Sequence, residues 1–267
     1  MAFFEELNIF IKSILHWLYF FVGSSVFFFV FGLKKVVVFG KGLYLPIPNE
    51  NSFSVQFFNK IRHDTLPSNV QLITTSPMSA FISQVLLAVF LGFLFTIPLL
   101  IYKIIAYLSP ALLPREKRVV MWSLIPFVLL FCLGSMFSYF FLVPATFKIF
   151  YPFATIMGAT SFFFINEFIM YVFDLMVAAG IMFLLPLFMI LLSFLNIIKA
   201  KFWISKWRYA FLFFLILCAV ITPDGTGITM VMLFIPLMVL YFAGYFFANR
   251  FSDDIIEERS GEENLTQ

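Results

Sequence analysis

Few side chains in this sequence could do chemistry, and most of those that could are carboxylates. Asp174 lies inside the apolar stretch FIMYVFDLMVAAG, and Glu167 immediately precedes it. Glu116 stands among cations in PREKR, Glu5 and Glu6 precede the first apolar run, and Asp224 sits in the turn between the last two runs. A carboxylate so placed can hold a proton or pair with a guanidinium. Ionisable groups at membrane depth are rare and mark pathways or binding sites.

The remaining reactive groups assemble into nothing catalytic. His16 and His63 are the two histidines and lie far apart in sequence, and there is no HExxH pair and no phosphate-binding loop. Each histidine reads as an interfacial polar residue, and a Ser-His-Asp arrangement lacks its third partner at membrane depth. Cys132 and Cys218 lie within apolar runs and read as small packing residues. They provide neither a disulfide framework nor zinc spacing. No cofactor, metal or enzymatic activity is expected.

Composition defines what must position these residues. The 267 residues are 63% hydrophobic and 12% charged, against about 45–50% and about 25% for a soluble chain. That excludes a soluble enzyme, a disordered protein and a nucleic-acid binder. Six apolar runs follow one another, at residues 14–33, 78–105, 119–143, 168–195, 209–221 and 228–248. All but the fifth reach the ~20 residues needed to cross a bilayer as a helix. The fifth is short and still reads as a span, because the bilayer can thin around it. No run alternates apolar and polar residues, which argues against an outer-membrane barrel. The expectation is an all-α, multi-pass membrane protein with one six-helix domain over residues 1–250.

Orientation follows from the cations. With the N-terminus inside, eleven Lys and Arg fall on inner segments and six on outer ones, which favours both termini inside. The first run is retained as a helix, since acidic residues precede it. The acidic stretch 251–267 reads as a disordered cytoplasmic tail. Two amphipathic stripes lie outside the runs: Phe3, Phe4, Leu7, Phe10 and Ile11, then Phe53, Phe57, Phe58 and Ile61. Both read as anchors in the headgroup layer.

Certain strings recur in a telling order: SPMSAF from Ser76, SPALLPREKR from Ser109, GSMFSY from Gly134, FLLP from Phe183, KWRYAFL from Lys206 and ITPDG from Ile221. Together they resemble the TatC family, the multi-spanning core subunit of the twin-arginine protein translocase, over roughly Phe3 to Phe242. The resemblance rests on Pro77, Phe81, Pro110, Gly134, Phe137, Tyr139, Pro186, Thr222, Pro223 and Asp224. It implies six helices in a curved bundle in the cytoplasmic (inner) membrane. It implies recognition of Arg-Arg signal peptides on folded cargo, assembly with single-span TatA- and TatB-type subunits and with further copies, and use of the proton-motive force. By motif position Glu6 and Glu116 would bind the paired arginines, with Tyr107 beside them. Bidentate carboxylate–guanidinium contacts are strong and geometrically selective. A solvated ion pair of Glu116 with Arg115, Lys117 or Arg118 is the alternative.

The departures from the family pattern are specific. Leu184 stands where the family carries Glu in the fourth helix, Phe242 where it carries Glu in the sixth, and Asn8 where an arginine is common. Asp174 is the candidate substitute for the missing buried carboxylate, or it bonds polar groups on neighbouring helices and fixes packing. Two other functions compete: an ion-coupled permease using Asp174, and a membrane scaffold without transport.

Overall fold

A computed structural model describes the backbone of residues 2–38, 41–66, 71–74, 76–108, 118, 120–156, 162–195, 197–222 and 227–265, and the side chains of most of them. Five helices among these residues are long and apolar enough to cross a membrane: Ile11–Val30, Pro77–Ile104, Val120–Phe150, Ile165–Phe194 and Ile228–Arg250. A sixth, Trp207–Ile221, is shorter. The fold is thus mostly helical, with the fifth run the short one. The chain groups into two compact units, Met1–Ala111 with Val143–Asp174, and Leu112–Leu142 with Leu175–Gln267.

The first unit is built on α1 (Ala2–Val30) and α3 (Pro77–Leu108). They pack antiparallel. Trp17 Nε1 donates to the Thr96 carbonyl at 3.2 Å, Ser24 Oγ donates to the Gly92 carbonyl at 3.4 Å, and Phe29 meets Phe81 edge-on. The Ser-Pro that opens α3 is a helix start. Ser76 Oγ accepts the Ser79 N–H at 3.2 Å, and Ser79 Oγ accepts the Ser76 N–H at 3.3 Å. This is a reciprocal cap, with Pro77 in the first helical position, where its missing N–H costs nothing.

Between α1 and α3 the chain is not purely loop. Strands β1 (Phe31–Val38) and β2 (Lys41–Pro48) form an antiparallel hairpin, with Phe31 opposite Pro48 and Val38 opposite Lys41. The hairpin is an addition to an otherwise helical fold, as expected for a multi-pass helical protein, and the first helix ends at Val30 rather than Leu33. The β-branched Val36–Val38 favour an extended backbone over a further helical turn. Helix α2 (Phe53–Thr65) follows. Its apolar stripe was expected in the headgroup layer but packs on protein. Phe57 lies 6.0 Å from Phe90, Phe58 lies 6.4 Å from Phe168, and Ile61 is buried. The stripe is therefore core, because α3 and the fourth span offer it an apolar face.

The third run divides into α4 (Leu124–Phe137), a π-helical turn (Ser138–Leu142) and α5 (Val143–Ile156). The π turn ends where the chain passes from the second unit to the first. Within the first unit, Phe147 of α5 packs on Phe163, Phe168 and Tyr171, and Tyr171 donates to Thr146 Oγ1 at 2.8 Å. Strand β3 (Gln71–Ile73) pairs in parallel with β4 (Phe162–Phe164) just ahead of α6 (Ile165–Phe183), and Ser83 hydrogen-bonds Asn166 beside them.

The fourth run breaks at Leu184, between α6 and α7 (Leu185–Phe194). Pro186 lacks the N–H that would reach back to Met182, so the ladder is interrupted there. The second unit continues with α8 (Ala200–Ser205), α9 (Trp207–Ile221) and α10 (Ile228–Leu265). Gly227, at φ 70°, supplies the left-handed residue before α10. Helix α10 runs through the stretch expected as a disordered tail. Residues 251–265 include four Glu and no proline, and the helix continues through Gly261 to Leu265.

Candidate functional site

The α1–α3 pair sets the level of two of the three proposed signal-peptide residues. From the Trp17–Thr96 contact, eleven residues back along α1 is Glu6, and eleven residues on along α3 is Tyr107. At 1.5 Å per residue each lies about 16 Å from that contact, so the antiparallel register brings both to one level of the pair. Tyr107 is half-buried near the end of α3. The Glu6 side chain lies outside the described residues, as do Glu116, Pro110, Pro223 and Asp224.

Asp174 is described, and it departs from expectation. Helix α6 buries Phe168, Ile169, Val172, Leu175, Met176 and Ala179 on one side. Asp174 falls instead on the exposed stripe with Met170 and Ile181, at helical spacings of four and seven. It makes no hydrogen bond or ion pair among the described residues. The expectation of a buried carboxylate is corrected: the residue faces outward. Leu184, where the missing Glu would stand, is 8% exposed.

Most of the other described motif residues lie at helix ends and helix–helix contacts. A Cβ on Gly134 would lie 2.5 Å from the Ala179 carbonyl oxygen, and one on Gly180 would lie 2.5 Å from a Phe131 ring carbon. Glycine therefore permits α4 and the second half of α6 to touch, and Ser135 Oγ donates across that contact to the Met176 carbonyl at 3.1 Å. Phe137 packs on Phe183 at 5.7 Å, and Tyr139 is buried. A Cβ on Gly244 of α10 would meet the Pro186 Cα at 2.8 Å. Thr222 closes α9 by donating to the Cys218 carbonyl at 2.7 Å. Phe81 is exposed on α3. Gly244 escaped the sequence reading, although its small size between aromatic residues in FAGYFF was a usable signal.

Gly134 carries a testable consequence. Gly134→Ala is expected to lose about 1–3 kcal/mol through overpacking against backbone, read as a lower unfolding temperature of the detergent-purified chain. Gly23→Ala, in the interior of α1 with nothing within 4 Å of its Cβ, should melt no lower than the parent, since alanine favours the helix. Equal melting of the two variants would refute the close-contact role of Gly134.

The model of the family Sec-independent protein translocase protein (TatC) matches residues 5–236. The chain belongs to the TatC family. It is 34% identical over 227 residues to the Sec-independent protein translocase protein TatC of Cenarchaeum symbiosum (strain A), covering 85% of this chain and 86% of that one. It is 30% identical over 192 residues to TatC of Aquifex aeolicus (strain VF5), covering 71% and 79%. A crystal structure of the twin arginine translocase receptor TatC superposes with a TM-score of 0.72 at 25% identity, covering 92% of this chain and 99% of that one. Within this TatC-family chain the described motif residues cap helices and set close contacts.

Proposed function

We propose that this chain is the signal-peptide receptor of a twin-arginine translocase in the cytoplasmic membrane. It takes folded cargo bearing Arg-Arg signal peptides and works with single-span TatA- or TatB-type subunits, driven by the proton-motive force. Membership of the TatC family carries this reading. Glu6 and Glu116 pair with the two guanidiniums, and Tyr107, at the level of Glu6, offers a ring for stacking against an arginine. The exposed Asp174, unpaired in apolar surroundings, is suited to a donor on a neighbouring single-span subunit, since an intramembrane carboxylate requires a partner.

The test is export of a folded Arg-Arg reporter in cells whose own multi-spanning subunit has been removed. Restored export supports the translocase. Its absence, with purified chain showing substrate-stimulated proton flux, supports a permease, and absence of both activities supports a scaffold.

Topology gives an independent prediction. The cation distribution places both termini inside, so cysteines introduced at Lys60, Arg115, Lys201 and Glu257 should label differently from the two sides. Lys60 is expected outside and the other three inside. Labelling of position 115 from outside would overturn both the orientation and the peptide site.

A further inference from the structure

Where α7, α8 and α9 meet at one end of their spans, the second unit holds a cavity of about 630 Å³. Its walls are apolar: Phe188, Met189 and Leu192 from α7, with Phe213 and Phe214 from α9. Phe188 and Phe213 are 47% and 57% exposed, so the cavity opens on the outer side of the helices. Two polar groups among its walls are already engaged within the protein. Trp203 Nε1 donates to Ser193 Oγ at 3.0 Å, and the Tyr241 hydroxyl donates to the Trp203 carbonyl at 2.6 Å. The groups left for a ligand are the Lys206 ammonium, 5.3 Å above the Tyr209 ring, and the exposed Tyr209 hydroxyl.

The surroundings determine what ligand suits this pair. Lys199, Lys201, Lys206 and Arg208 are all exposed, and no acidic residue lies between Ile197 and Tyr209. None of the four is paired with a carboxylate among the described residues. Trp207 lies under the Arg208 guanidinium. Cations flanked by Trp and Tyr at the end of a span mark the headgroup layer, and basic pockets between spans bind anionic headgroups. We propose that this cavity binds an anionic glycerophospholipid, with its phosphate on Lys206 and Tyr209 and one acyl chain along Met189, Leu192 and Phe213. A soluble anion would leave the apolar walls bare, and a neutral lipid would leave the four cations without a counter-charge.

The test uses the full chain in mixed micelles with phosphatidylglycerol carrying a photoreactive acyl chain. Labelling is expected in the peptides of α7 and α9. Excess unlabelled phosphatidylglycerol should suppress it, and equal phosphatidylcholine should not. Lys206→Gln should lower labelling about fivefold, Lys206→Arg should keep it, and Leu192→Trp should lower it by filling the cavity. The idea is overturned if phosphatidylcholine competes as well, or if labels scatter over all spans. It is also overturned if Lys206→Gln labels like the parent, or if an Arg-Arg signal peptide crosslinks through its apolar stretch to the same residues. The competition arms use the parent chain, so they decide the matter even if a variant misfolds.

Discussion

Glu116→Gln is expected to bind an Arg-Arg signal peptide about 10- to 150-fold more weakly than the parent. A hydrogen bond to a charged group contributes roughly 1.5–3 kcal/mol, and each 1.4 kcal/mol is a factor of ten. The neutral amide keeps the size of the side chain and loses both the charge and the two-oxygen fork, so the loss reports electrostatics rather than packing. Glu116→Asp keeps the fork on a shorter stem and should lose less. A Lys-Lys peptide cannot engage the fork bidentately, so it should bind weakly to the parent and lose little more in the variant. Added salt should weaken binding only modestly if the pair is sheltered, because screening acts mainly on exposed charges. Site-specific crosslinking to the peptide, titrated against concentration, measures all four. Unchanged affinity of Glu116→Gln would leave Glu116 as a member of its local cationic cluster and remove it from the site.

Asp174 has the other large effect, and it acts in two opposed directions. A carboxylate at the centre of a span costs about 2.5–3.5 kcal/mol of insertion free energy. Asp174→Leu should therefore raise the insertion equilibrium of the span Ile165–Phe194, tested as a translocon substrate, by roughly 60- to 300-fold. The same chain should lose export of an Arg-Arg reporter, and Asp174→Asn should block export while remaining inserted and stable. Improved insertion with lost export identifies a side chain that the fold would be better without and transport requires. Normal export by Asp174→Asn would reduce the residue to a tolerated surface carboxylate. Restoring Glu at Leu184 should not rescue it, since Leu184 is buried while Asp174 lies on the exposed stripe of α6.

Hydropathy made the spans readable, including the short fifth helix, because membrane crossing is a demand on consecutive residues. Trp207–Ile221, at 15 residues, spans only about 22 Å, close to the expected 209–221. What depends on tertiary partners was less legible. The Phe53–Phe57–Phe58–Ile61 stripe has a helical period, but period alone cannot distinguish lipid headgroups from Phe90 and Phe168. The hairpin was missed although Val36–Val38 and the glycines at 40 and 42 are ordinary strand and turn signals. Lys34 and Lys35 close the first apolar run, so the residues beyond them read simply as the loop between two spans. Asp174 was located correctly along the chain, but its face was not. Helix α6 is apolar on both sides, so only the packing of Val172, Leu175 and Ala179 reveals which way the carboxylate points. The glycine at 134 was found through its motif, whereas the reason for it lay in a carbonyl 45 positions later.

The π-helical turn at Ser138–Leu142 sets the phase of the third span. Each residue of an α-helix advances the face by 100°, so one surplus residue in a turn rotates everything downstream by about that amount. Upstream of it Phe131 and Gly134 are placed against Gly180 and Ala179, and downstream Thr146 and Phe147 are placed against Tyr171. One residue added to or removed from this stretch would turn the helix beyond it by about 100° about its own axis. The span is thus more sensitive to a single-residue change in length than to substitution at exposed positions such as Leu133 and Phe140.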